Sequence, residues 1–529
     1  VRIAFWLLIS VLLIGCAQPA PADPSRSNTG GPSQPQRTKR ITASVMGEIT
    51  SFVSRLSLTQ ISPPGASAVE QLVNGSLAEL DGAGRLNPQL GETVPSLDNG
   101  LWRSLPDGRM ETLWKIRQDA RWHDGTPLSA DDFVFTTTVD LDRDLPIPRN
   151  PAYTWVDTVE ALDPKTVRVV WSRPYIDADQ FFTARVVPPL PKHLLEDAYL
   201  GDKAQFTNLG YWNQGYVGTG AFSVREHVAG SSIVLQAFPG YPLGRAKIDE
   251  IEIRVFLDLN TLVTNLISGS IDLTLGRGFT VEQAIQARDQ WRDGRLEANP
   301  RSWVVVNPQF MGPNPAVVTD LQFRRALMYG TDRQELVDSL QAGLTPVAHF
   351  FINPIFPEFK EVEGAVVRYE YLRSNGERIT EKTIVPVADA WTRFGVATEP
   401  NLVPPQRISD REYVATFPGF RMMRQPNDTI QVTRLHSSAT PLPANRFAGS
   451  NYARYVNPEF DALLDEFVAT IAWEPRIQIL RRIMRHISEN LNQMGLFYDM
   501  EFTLMNNRMK DVTAREVTLW DAHKWDVGS

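Results

Sequence analysis

Seven histidines, a single cysteine and the adjacent carboxylates Asp131 and Asp132 are the residues of this 529-residue chain whose types could carry chemistry. A metal centre needs convergent ligands, and short His spacings on a helix or turn are the usual sign of one. His123, His193, His227, His349, His436, His486 and His523 show no such spacing. Asp131-Asp132 would make a poor acid/base couple, because neighbours on a helix point in different directions. Behind Ser129 they read instead as favourable negative charge at a capped helix N-terminus. Gly276-Arg277-Gly278 lacks the third glycine of a dinucleotide fingerprint, and the chain holds no Gly-x-Ser-x-Gly elbow, phosphate loop or His-Glu-x-x-His helix. The expectation is a non-enzyme with no catalytic residue, no metal and no cofactor.

Cys16 follows the apolar run Ile3 to Ile14, which has a basic start at Arg2 and is too short to span a bilayer comfortably. The run reads as a signal segment, residues 1–15. Leu13-Ile14-Gly15-Cys16 resembles the bacterial lipobox, which implies cleavage before Cys16 and acylation of its thiol. From Ala17 to Arg40 the chain is rich in Pro, Ser, Gln, Gly and Asn, too poor in large apolar residues to fold. Residues 16–40 therefore read as a lipidated tether, whose chain would reach roughly 25–30 Å. With no second cysteine, disulfides and Cys-based metal sites drop out. The composition, 43% hydrophobic and 22% charged, is that of a globular protein with several structural domains. A formal charge of -8 argues against a nucleic-acid partner.

Short strand and helix patterns mix from Ile41 onward, which indicates α/β or α+β architecture. The alternation in Ile41 to Met46 suits a strand. Leu259, Leu262, Val263, Leu266 and Ile267 form one helix face, with Asp258 as cap and Gly269 as stop. Asn457-Pro458 opens another helix, with Phe460, Leu463, Leu464, Phe467, Val468 and Ile471 on one face, and a partner runs from Glu474 to Asn492 with Ile479, Ile483, Ile487 and Leu491 as its inner face. Thr331-Asp332-Arg333-Gln334 resembles a capping box.

Trp114-Lys115-Ile116-Arg117-Gln118-Asp119-Ala120-Arg121-Trp122-His123-Asp124-Gly125-Thr126-Pro127-Leu128-Ser129-Ala130-Asp131-Asp132-Phe133 closely resembles the family 5 solute-binding proteins of bacterial ABC importers, which serve oligopeptides, dipeptides and nickel. Three further blocks keep the family's order: Gly218-Thr219-Gly220 through Ser268-Gly269-Ser270-Ile271-Asp272, Asp320 to Gly343, and Asn457-Pro458-Glu459-Phe460-Asp461-Ala462-Leu463-Leu464. The resemblance implies a two-lobed periplasmic-binding-protein-like α/β fold with a subdomain inserted in lobe one. Lobe one would be 41–95, 216–298 and the return 496–529, the inserted subdomain 96–215, and lobe two 299–495. Chain crossings near 299 and 495 would form the hinge, and ligand would bind in the cleft.

The sequence also departs from the family. No clean motif occupies Phe417 to Asp428, where peptide-binding members place the Asp that meets the peptide ammonium, and Asp428 is the nearest substitute. Val366 to Leu372 and Thr383 to Val387 look strand-like where members carry a helix. By position in the family, the cleft candidates are Met46, Glu48, Trp303, Asn307, Asp428, Phe497 and Tyr498. The implied role is a lipid-anchored, monomeric envelope receptor, facing periplasm or cell exterior, that captures a solute, foremost an oligopeptide, and delivers it to an ABC permease and its ATPase subunits. The rival is an envelope chaperone or sensor-coupled receptor binding a non-peptide ligand on the same fold.

Overall fold

The computed structural model describes residues 38–56, 63–82, 84–145, 147, 151–184, 186, 188–276, 278–363, 379–401, 403–404, 407, 410–512 and 519–528. Cys16, the apolar run before it, most of the tether, Arg277 and Val366 to Leu372 lie outside them. Residues from Lys39 onward form one compact unit.

An eight-stranded sheet organises that unit. Its strands run in the order Phe420–Gln425, Gly294–Pro308, Met494–Asn506, Leu273–Thr274, Arg40–Met46, Glu250–Phe256, Ser232–Ala237, Phe222–Val228. Arg40–Met46 lies parallel to both Glu250–Phe256 and Leu273–Thr274. Helix Leu259–Ile267 makes the connection between those two neighbours. Asp258 caps it by accepting from Thr261 N at 2.8 Å, and Gly269 leaves it with φ +73°. Ile41, Ala43 and Val45 share one face of Arg40–Met46 and are all buried.

The apolar core divides along the chain. The largest cluster draws on residues 41–275 and 505–525. The second and third draw on residues 303–498, with Ile176 as the one described exception. Within Gly294–Pro308, Trp303 and Val305 enter the second cluster while Val304 and Val306 enter the third, so the two faces of one strand serve two cores. Antiparallel strands Trp102–Ser104, Met110–Lys115, Thr166–Trp171 and Val156–Asp163 make a separate four-stranded sheet. Trp114, Phe133, Trp171, Phe181 and Phe182 pack beside it, with Phe133 and Phe182 ring centroids 4.9 Å apart.

The block centred on Trp122 is a folding device. Gly125 takes φ +90° in the turn, and Thr126 O accepts from Trp122 N at 2.8 Å. Helix Ala130–Leu141 follows, and the Asp132 carboxylate accepts from Ser129 N at 2.9 Å, Lys192 N at 3.0 Å and the Trp122 indole at 3.3 Å. Burial raises its pKa, against these hydrogen bonds. Asp132 is thus a structural hub.

Two sequence expectations are corrected. Thr383 to Val387 is helical, inside Ile379–Arg393, despite its β-branched residues and Pro386. Tertiary packing overrides local preference there: Val387, Ala390 and Trp391 join the third cluster, and Trp391 Nε1 donates to Thr331 Oγ1 at 2.9 Å. The cap of helix Arg333–Leu340 is Asp332, which accepts from Glu335 N at 2.9 Å. Thr331 is occupied elsewhere, its hydroxyl donating to Leu327 O at 2.8 Å.

His123 joins two of the sequence blocks. Its Nδ1 accepts from Gly218 N at 3.1 Å and its Nε2 lies 3.0 Å from Gly220 O, so the neutral ring with the proton on Nε2 satisfies both. Burial pushes its pKa down to about 4. The unfolded chain therefore takes up this proton near pH 6.5 and the folded chain only near 4, so the contribution is complete above 6.5 and fades as pH falls toward 4. We expect wild type to lose about 2–3 kcal/mol more stability than His123→Gln between pH 7 and 4.5. Urea unfolding at both pH values checks this; equal losses would contradict the assignment.

Candidate functional site

A cavity of about 960 Å³ opens where the two long strands pass from one group of cores to the other. Its floor is Arg301 from Gly294–Pro308 and Asp499, Met500, Glu501 and Phe502 from Met494–Asn506. One wall is built from Met46 at the end of its strand, Pro63 to Gly65, Leu257 to Asn260, and Gly276 with Gly278 to Gln283. Leu340, Lys382 and Arg424 come from the other side. Two helices begin on the first wall, one capped by Asp258 and the other, Val281–Gln290, by Thr280. Gly65 and Gly276 both have positive φ, and a Cβ on Gly276 would lie 2.1 Å from Gly65 N, so the main chains press together there.

Each cation described in the lining faces a carboxylate. Lys382 Nζ lies 2.7 Å from Glu282 Oε1, and Arg301 Nε lies 3.7 Å from Glu501 Oε2. Arg424 pairs with Asp499. Asp499 Oδ1 also accepts from Gln341 Nε2 at 3.2 Å, and Gln341 Oε1 accepts from Met500 N at 3.1 Å. The charged floor is therefore braced from the residue that follows helix Arg333–Leu340. Between these pairs lie Met46, Leu257, Leu259, Phe279, Leu340, Met500 and Phe502. A concave site of this size, lined by apolar and paired charged groups together, has room for a solute larger than a single small metabolite. The arrangement can bind and desolvate a solute.

The sequence candidates divide. Met46 lines this cavity. Glu48 is exposed beyond the end of its strand and does not. Trp303, Phe497 and Tyr498 are corrected to core positions, 1%, 0% and 0% exposed, because their strands lie inside the sheet with both faces covered. The Tyr498 hydroxyl donates to Phe350 O at 2.8 Å. Asn307 is buried in an amide chain: Gln493 Nε2 donates to Asn307 Oδ1 at 3.3 Å and to Gln425 Oε1 at 2.7 Å. Asp428 is buried ahead of helix Ile430–Leu435, away from the described lining. Sequence reading missed Glu282, Arg301, Lys382, Arg424, Asp499 and Glu501. Asp499 follows Tyr498 directly, and the alternation of a strand is the signal that separates the two.

The description of bacterial extracellular solute-binding proteins, family 5 Middle, matches residues 92–371. The oligopeptide-binding protein AppA of Bacillus subtilis is 21% identical over 98% of this chain and 97% of its own length. Its crystal structure in complex with a nonapeptide superposes with a TM-score of 0.70 at 19% identity, covering 94% of this chain and all of that one. NikZ from Campylobacter jejuni, in complex with Ni(L-His), superposes at 0.67 and 18% identity over 92% of this chain and 99% of its own. The shared fold is two-lobed, with mixed α and β content.

Asp499 has 6% of its side chain exposed and Arg424 34%, so removing one charge strands its partner in a half-dry setting. We expect Asp499→Asn to destabilise by about 2–3 kcal/mol, with much of that recovered in the apolar double variant Arg424→Met/Asp499→Leu. Chemical denaturation of the three proteins decides; a neutral single substitution would show that the pair is not coupled to folding.

Proposed function

The chain belongs to the family 5 bacterial extracellular solute-binding proteins, and from that premise we propose that it captures an oligopeptide by closing two lobes around it and delivers it to an ABC permease and its ATPase subunits. The observation that carries this reading is the 960 Å³ cavity, walled on one side by Met46, Pro63 to Gly65 and residues 257–283, on the other by Leu340, Lys382 and Arg424, and floored by the two long strands. A cavity so placed is desolvated by relative rotation of its walls, and ligand stabilises the closed state through its higher affinity for it. Charges of both signs line it, as a zwitterionic peptide requires. Lobe one is taken as 41–95, 216–298 and 496–529, the inserted subdomain as 96–215, and lobe two as 299–495. No catalytic role is assigned. The protein acts as a monomer held at the envelope through acylated Cys16.

The relatives support peptide as the first ligand to test, and the Ni(L-His) complex of NikZ puts metal chelates second. A thermal-shift screen of residues 41–529 should include peptides of graded length, Ni-histidine, sugars, opines and haem. Peptide at about 100 times its dissociation constant should stabilise by roughly 2.7 kcal/mol. No shift with any peptide, beside a clear shift with another class, would replace the peptide reading. For the anchor, Cys16→Ser should move the protein from the membrane fraction to the soluble one, and unchanged partitioning would rule acylation out.

A further inference from the structure

Glu282 and Lys382 meet across the cavity from elements rooted in different cores. Glu282 stands in the first turn of Val281–Gln290, whose Val281 and Ala284 pack with Met500 and Phe502. Lys382 belongs to Ile379–Arg393, which packs into the third cluster through Val387, Ala390 and Trp391. The other two cavity pairs differ in kind: Arg301 and Glu501 sit on the paired long strands, and Arg424 and Asp499 on strands flanking Gly294–Pro308 in the same sheet. Among the described cavity pairs, Glu282 with Lys382 is thus the one that relative motion of the walls would make or break.

The pair is unequally exposed. Lys382 has 13% of its side chain accessible and Glu282 56%, so the ammonium has surrendered most of its water and depends on a carboxylate. Burial pushes the Glu282 carboxyl up, but hydrogen bonds from Lys382 and Thr280 outweigh it and hold the group below its ordinary value, charged throughout the neutral range. Phe279, Val281, Leu340 and Met500 share the lining with the pair. We propose that Glu282 and Lys382 determine specificity: the pair closes over a ligand position that takes an uncharged, apolar side chain, and a charged side chain there is rejected because it competes with one partner for the other. An acidic group would draw Lys382 away from Glu282, and a basic group would hold Glu282 and leave a desolvated ammonium unpaired. This deepens the oligopeptide reading and rests on it.

The test is calorimetry on tripeptides and tetrapeptides that vary one position at a time among Leu, Glu and Lys, with wild type, Glu282→Gln, Lys382→Met and the swap Glu282→Lys/Lys382→Glu. At one ligand position wild type should prefer Leu over both charged residues by about tenfold. Glu282→Gln should lift the Glu peptide by about tenfold relative to Leu, Lys382→Met should do the same for the Lys peptide, and the swap should restore the wild-type order. An order that neither single substitution changes overturns the proposal. If wild type binds no peptide, the oligopeptide reading is what fails, and small-angle scattering then judges the pair. Glu282→Gln/Lys382→Met should have a larger radius of gyration than wild type, and equal radii would refute a contact that holds the walls together.

Discussion

Strands Gly294–Pro308 and Met494–Asn506 pair from Gly294 with Asn506 to Val306 with Met494, and the register slips twice, between Pro300 and Ser302 and between Val304 and Val305; the first slip lies at the boundary between the cores. Proline brings no N–H to the ladder, so a slip at Pro300 is cheaper than one elsewhere on the strand. A slip also bends the strands and strengthens their twist. Two of its loose backbone groups are taken up by side chains: Pro300 O accepts from Asn353 Nδ2 at 2.5 Å and Asn427 Nδ2 at 3.1 Å, and Met500 N donates to Gln341 Oε1 at 3.1 Å. The separation of the cores depends on this point. Residues before it pack with Met500, Phe502 and Leu504, and residues after it pack into the clusters on the two faces of Trp303 to Val306.

The same constraint explains why the cavity is charged at its floor. Arg301, Asp499 and Glu501 stand at or next to the slip and line the cavity, with Asp499 buried. Buried charge is tolerated only when paired, and each described cation here faces a carboxylate. A site so compensated does not attract ligand by net charge. Its selectivity has to come from shape, from main-chain partners, and from which pairs a ligand can leave intact.

Much of the fold was legible in sequence because it rests on local physics. Asp258 and Asn457 cap the helices expected of them, Asn457 accepting from Phe460 N at 2.9 Å, and the Trp122 turn is built as its Asp-Gly step indicates. The site was less legible. Trp303, Phe497 and Tyr498 were read as cleft residues from their nearness to the crossings, yet the cavity begins one or two residues further on, at Arg301 and Asp499. Period-two alternation distinguishes such neighbours only once the register is known, and a slip resets the register. Lys382 and Glu282 could not be paired from sequence, being 100 residues apart on helices that meet only in the folded chain. Thr383 to Val387 misled for a related reason, since its β-branched residues serve a helix held in place by Trp391 and Thr331.

The hydrogen bonds at the slip are not symmetric. Asn353, Asn427 and Gln341 all belong to the part of the chain between the two crossings, so the slip is tied firmly to the second group of cores. Toward the first core, Gly294 to Pro300 and Met500 to Asn506 keep an unbroken ladder. Rotation of one body against the other would then be easiest at the slip by Pro300, next to the unbroken ladder from Gly294 to Pro300. Gly495 shows how little slack exists on the anchored side: a Cβ there would lie 2.5 Å from Ala348 O and 2.6 Å from the Trp303 ring. Close packing on one side and a proline slip at the boundary make motion discrete, because packed cores shift between arrangements more readily than they deform. A ligand then acts by choosing between positions of the walls, and contacts made between walls, such as that of Glu282 with Lys382, carry more weight in that choice than pairs fixed within one sheet.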